Sequence, residues 1–132
     1  MTEEPARCVL SALRDRTPGL YVHEPTSYWS SGSVGTEHML LVTADGSVLH
    51  ASHTYNGAIV SQPPTDAYSS SERCTLREPA FFQACIDALD GTDQAADDAA
   101  WLCLYGTSSS NTPPPVELTW INSCAAAAAS CD

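Results

Sequence analysis

Two histidines, His38 and His53, stand in a stretch whose turn signals would set them side by side. The run from Thr36 to Gln62, TEHMLLVTADGSVLHASHTYNGAIVSQ, contains Asp45-Gly46 and Asn56-Gly57, dipeptides that favour two-residue hairpin turns. With such turns Val42 pairs with Leu49, Leu40 with Ala51 and His38 with His53, and then Tyr55 with Ala58 and His53 with Val60. Directly opposed strand positions hold their side-chain roots about 5 Å apart, near enough to share one metal ion, and imidazole suits zinc or copper. His23 or His50 could add a ligand, although alternation puts His50 on the other face of the strand. In that arrangement the loss of His38 or His53 weakens the metal more than the loss of His23. The commoner use of such a pair is structural, as two hydrogen-bonded rings.

The remaining chemical candidates are weaker. Carboxylates gather at Asp87, Asp90, Asp93, Asp97 and Asp98, but DGTDQAADD lacks the alternating ligands, the central glycine and the closing glutamate of a calcium loop. Helix capping and a solvated helical face account for them. Ser31 and Ser33 lie near His38, yet SSGSVGTEH is not a nucleophile elbow and no strand feeds a helix there. No phosphate-binding loop, dinucleotide fingerprint or paired acid motif calls for a cofactor, and no residue is assigned a catalytic role.

Composition narrows the partners. Sixteen carboxylates face five arginines and no lysine, a formal charge of -11. Nucleic acid, whose affinity comes from clustered cations, and anionic membrane surfaces are therefore poor partners, whereas a basic protein is a good one. Arginine without lysine, beside abundant alanine and aspartate, reads as GC-rich bacterial coding. Six cysteines, Cys8, Cys74, Cys85, Cys103, Cys124 and Cys131, are dispersed with no CxxC and no zinc-ribbon spacing. An even, scattered set predicts three disulfides and an oxidising compartment, extracellular or periplasmic, with the pairing left open. No apolar run is long enough to span a bilayer, and the N-terminal MTEEPAR is not a signal peptide, so a secreted form would be a mature fragment given a start Met.

The elements that must position these residues follow from periodicity. A helix over 5–15 buries Ala6, Val9, Leu10 and Leu13, leaving Cys8 off the stripe, where it needs a partner such as the C-terminal tail. LYVHE (20–24) reads as a strand, and PTSYWSSGSVG (25–35) as a loop whose Tyr28 and Trp29 either cap the core or form a contact surface. The meander occupies 37–62, with Leu40, Val42, Leu49, Ala51, Tyr55, Ala58, Val60, His38 and His53 on the core face. PPTDAYSSSER (63–73) reads as a polar loop. Pro79 starts a second helix over 79–90, burying Phe82, Cys85, Ile86 and Leu89. WLCLY (101–105) and VELTWI (116–121) read as strands, and the alanine run between Cys124 and Cys131 as a short segment held by those cysteines.

The fold class expected is α+β: one disulfide-stabilised domain over 1–132, a mainly antiparallel sheet built on the meander, with the two helices packed on one face. Three functions fit this pattern. The first is a noncatalytic binding domain or inhibitor acting through protein–protein contacts, the second a metal-binding protein or metalloenzyme using His38 and His53, and the third a structural subunit of a cell-surface assembly.

Overall fold

The computed structural model describes residues 3–24, 26–29, 32–58, 65–105 and 118–127. Among these the chain runs α1 (Glu3–Arg14), β1 (Gly19–His23), β2 (Thr26–Trp29), β3 (Gly32–Val42), β4 (Val48–Ala58), β5 (Thr65–Tyr68), β6 (Glu72–Leu76), α2 (Pro79–Asp90), α3 (Gln94–Tyr105) and β7 (Ile121–Ala126). The strands form one sheet in the order β1-β3-β4-β6-β7, with β2 also paired to β3 and β5 to β4, and every pairing is antiparallel. The fold is α+β.

The β3–β4 hairpin sets everything that follows, and its register differs by one residue from the expected one. Thr43 N–H donates to the Ser47 carbonyl at 2.9 Å and Gly46 N–H to the Thr43 carbonyl at 2.9 Å, and Gly46 has φ +83°. This is a three-residue loop, a tight turn closed by a left-handed glycine, rather than the two-residue turn that Asp-Gly most often makes. The Asp45 carboxylate selects it by accepting from Ser47 N–H at 3.0 Å, from the Ser47 hydroxyl at 2.8 Å and from the Thr43 hydroxyl. Those donors, Thr43 first, hold its carboxyl well below the usual carboxylate range. Val42 therefore pairs with Val48, Leu40 with His50, and His38 with Ser52. A one-residue slip exchanges the faces of a strand, so Val48 and His50 point to the core and Leu49, Ala51 and His53 to the other side. A Cβ on Gly46 would meet nothing within 4 Å, leaving backbone conformation as the whole cost of Gly46→Ala, expected at about 1–2 kcal/mol. A lower urea midpoint at unchanged slope would report it, and an unmoved midpoint would reject this turn geometry.

Five other readings are corrected. β4 runs straight through Asn56-Gly57, because Asn56 pairs with Val34 on one side and Thr65 on the other, and a strand flanked on both edges has no reason to turn there. Residues 59–62, the rest of the expected third meander strand, lie outside the described residues. The supposed polar loop before Cys74 supplies β5 and β6, and the supposed aromatic loop supplies β2 and the start of β3. The backbones of Tyr28 and Trp29 pair with Ser33 and Gly32, while their side chains, and the contact surface expected of them, lie outside what is described. WLCLY completes α3 instead of forming a strand: Asp93 caps that helix by accepting from Ala96 N–H at 2.8 Å, and the alanine-rich sequence carries it through to Tyr105. Thr119 and Trp120 form a turn, and the edge strand begins one step later at Ile121, taking in the first alanines.

The core lies between one sheet face and the helices. Leu10 and Leu13 of α1 and Phe82, Cys85 and Ile86 of α2 meet Leu40, Val42, Val48 and Leu76 of the sheet, with Leu118 and Trp120 closing one end. Helix α1 ends where Arg16 turns left-handed at φ 56°, with Thr17 N–H returning to the Ala12 carbonyl and Arg16 N–H to that of Leu13. Disulfides join Cys74 to Cys124, across β6 and β7, and Cys85 to Cys103, across α2 and α3. Cys8 is exposed and has no disulfide partner among the described residues, so the expectation that all six cysteines pair turns on Cys131. Cys131, the other half of that expectation, lies outside them.

Candidate functional site

The histidine pair expected from the sequence does not form. His38 sits opposite Ser52, while His53 sits opposite Glu37, which places the two imidazoles on opposite faces of the sheet, where they cannot share an ion. The same register instead brings His38 together with two other histidines on the core face. His23 of β1 is the direct partner of His38, and His50 of β4 is diagonal to it, with Glu72 of β6 opposite His50. His23, His38 and His50 are all buried, at 2, 1 and 8% exposure.

His38 Nδ1 and His50 Nε2 are 3.0 Å apart, and the rings are 20° from parallel with centroids separated by 5.3 Å. That separation is what two rings joined nearly in line through their nitrogens require, so one proton lies between them. Glu72 supplies the polarity: its carboxylate is 3.6 Å from His50 Nδ1, too long for a hydrogen bond but close enough to favour a proton on that nitrogen. His50 Nε2 is then the acceptor, His38 Nδ1–H the donor, and His38 Nε2 a bare lone pair.

The third ring is fixed from another direction. The last carbonyls of α3 have no partner within the helix, and His23 Nε2–H donates to that of Leu104 at 2.6 Å, while Trp120 Nε1–H and the Thr119 hydroxyl donate to that of Cys103 at 2.8 and 3.1 Å. The His23 ring also lies 4.5 Å from that of Trp120. Three buried ring nitrogens, His23 Nδ1, His38 Nε2 and His50 Nδ1, have no hydrogen-bond partner among the described residues. Burial lowers the affinity of all three rings for protons. It pushes His38 down to about 4, with His50 and His23 adding their repulsion, and it lowers His23 and His50 against the opposing pull of the Leu104 carbonyl and Glu72 respectively.

One metal-like constellation appears at the end of this row. One ligand atom each from His50, Glu72 and Cys74 lie within 4.8 Å of one another. While Cys74 is joined to Cys124 its sulfur is not a thiolate, so the oxidised protein presents only the imidazole and the carboxylate there. The acidic cluster is spent on structure: Asp87 and Asp98 accept from Gln83 and Gln94, Asp90 pairs with Arg7, and Asp93 caps α3.

The opposite sheet face is uncovered by any described element. One row across it reads Leu20, Leu41, Leu49, Arg73, and the next Val22, Met39, Ala51. Leu20, Val22 and Leu41 are 65, 45 and 42% exposed. Beyond them His53 stacks on exposed Tyr68, with ring planes 6° apart and centroids 4.3 Å apart. A two-residue turn would put Leu49 and Ala51 in the core, which hides this surface in the sequence. Glu72 is hidden likewise, because its polar neighbours read as a loop. The flanking Thr43 and Ser47 were the available signal for the longer turn. No described helix is long and apolar enough to cross a membrane. Set against profiles of known families, curated proteins and solved structures, the chain matches none.

Proposed function

We propose that the protein is a noncatalytic binding domain of an oxidising extracellular or periplasmic compartment, and that it docks a basic protein on the open face of its sheet. The observation that carries this reading is the pair of adjacent apolar rows, Leu20–Leu41–Leu49 and Val22–Met39–Ala51, covered by no described element and with Leu20, Val22 and Leu41 exposed, on a sheet whose other face is packed. Exposed large apolar side chains in a contiguous patch mark interaction surfaces. Charge selects the occupant. A chain of net charge -11 repels a second copy of itself and attracts a cation-rich partner, whose arginines and lysines would meet Glu24 and Glu37 beside the apolar centre. Two disulfides support the compartment.

The test compares wild type with a Leu20→Glu/Leu41→Glu variant, both immobilised and exposed to native extracellular protein. A basic protein should be retained by wild type and lost by the variant at least about tenfold, as removal of a central apolar anchor usually costs more than 1 kcal/mol. Its association should slow as salt is raised. Two results would reject the proposal: an association rate indifferent to salt, or a wild-type chain that sediments as a dimer dispersed by the same substitutions.

A further inference from the structure

We infer that Cys74, His50 and Glu72 form a latent site for a zinc-like divalent ion, closed while the Cys74–Cys124 bridge exists and opened by a dithiol reductant. The three donors converge because of register. Glu72 is the direct cross-strand partner of His50, and Cys74, two residues along β6, lies on the same core-side face and pairs with Val48. Their ligand atoms fall within 4.8 Å, so a contraction of about 1 Å reaches the edges of a tetrahedron with metal–ligand bonds of about 2.0–2.3 Å. His50 Nδ1, the nitrogen facing Glu72, is buried and unpartnered, and its other nitrogen is held by His38. On metal binding Nδ1 gives its proton to solvent, the shared proton passes from His38 Nδ1 to His50 Nε2, and His38 takes up a proton on Nε2, so that His50 Nε2–H donates to His38 and orients the ligated ring from behind. Thiolate, imidazole and carboxylate together suit zinc, and water would complete four-coordination.

The geometry also gives the opening step. Cys124 is exposed on the edge strand, whereas Cys74 is buried at 2%. A thiolate of the reductant attacks Cys124 Sγ, forming a mixed disulfide, and the electron pair of the broken bond leaves on Cys74 Sγ. The second thiol of the reductant then attacks its own sulfur in that mixed disulfide and frees Cys124, so the dithiol becomes a disulfide while the protein bridge takes up two electrons. The Cys74 thiolate emerges beside His50 and Glu72. If it has taken a proton, the metal displaces that proton to solvent. Half-exposed Glu72 provides the entry side, and the strongly acidic surface concentrates divalent cations around it. The chain is thus bridged or metal-loaded, never both.

Cobalt(II) is the probe, because thiolate coordination gives it a near-ultraviolet charge-transfer band and tetrahedral coordination gives intense visible bands. The background carries Cys8→Ser and Cys131→Ser, which removes other thiols and leaves Cys85–Cys103 closed. In that background Cys124→Ser frees Cys74 without reductant, and it should bind one cobalt with the thiolate band, displaced by zinc. The parent with its bridge intact should show no such band, and dithiol treatment, with the reductant removed anaerobically before cobalt is added, should produce it. Glu72→Gln, at a half-exposed position, should weaken cobalt at least about tenfold. Should Cys124→Ser fail to fold, the dithiol-treated parent gives the same readout. A folded Cys124→Ser protein without the thiolate band overturns the inference, as does a band that survives further Cys74→Ser substitution.

Discussion

Acidification from about pH 7 to pH 5 is expected to remove much of the protein's stability, well before its carboxylates titrate. Histidine in the unfolded chain has a pKa near 6.5, whereas burial holds His38 down to about 4 and lowers His23 and His50. Between those limits the unfolded state binds protons that the native state refuses, so stability is intact above about pH 6.5 and falls as pH drops through the window. Each such histidine costs at most about 1.4 kcal/mol per pH unit, and His38, held down to about 4, contributes through the whole window. A domain of this size has only about 5–15 kcal/mol to lose. Glu72 softens the His50 contribution, and the Asp45 carboxyl, held low by Thr43 and Ser47, releases its share only in stronger acid. The check is the urea midpoint at about pH 7.5, 6.5 and 5.5 for wild type and for His38→Leu/His50→Leu. Replacing both ends of the buried hydrogen bond by apolar groups of similar size should leave the neutral-pH midpoint nearly unchanged and flatten the acid slope. Parallel profiles for the two proteins would place the acid sensitivity somewhere other than this pair.

That experiment bears on residues the sequence named for the wrong reason. His38 was legible as a core-facing histidine, because its strand alternates cleanly with Leu40 and Val42. Its partner was not, because partner identity depends on whether Asp45-Gly46 closes a loop of two residues or three. The difference rests on hydroxyls at Thr43 and Ser47 that reward the longer loop. One residue of slip moved His50 inward and His53 outward, and with them went the expected metal pair. Helices were easier: Ala6, Leu10 and Leu13, and Phe82, Cys85 and Ile86, recur at helical spacing and are buried as that spacing requires. WLCLY and VELTWI were misassigned because short apolar runs carry no period of their own. Tertiary contacts decide them. Cys103 is tied to α2 by its disulfide and its carbonyl is claimed by Trp120, which fixes a helix end where composition alone permits a strand.

Reduction of the two bridges is expected to be the other large perturbation, lowering the melting temperature by on the order of 20 °C at neutral pH. Chain-entropy reasoning assigns about 4 kcal/mol to Cys74–Cys124, whose cysteines are 50 residues apart, and about 3 kcal/mol to Cys85–Cys103, 18 apart. Packing should reverse that order. Cys124 is exposed on an edge strand, so Cys74→Ala/Cys124→Ala removes a constraint on the unfolded chain and, from the native one, only the buried sulfur of Cys74. Cys85 is fully buried against Phe82 and Ile86, and Cys103 anchors the helix end whose carbonyls satisfy Trp120 and His23. Cys85→Ala/Cys103→Ala therefore loses core volume and loosens α3 in addition to its loop term. Thermal unfolding of the two double variants, each with its remaining bridge verified by intact mass after alkylation under nonreducing conditions, measures the two contributions separately. The expected result is the larger drop for Cys85→Ala/Cys103→Ala, despite its shorter loop. A larger drop for Cys74→Ala/Cys124→Ala would mean that chain entropy outweighs packing here, and that α3 holds its place on the core without the bridge.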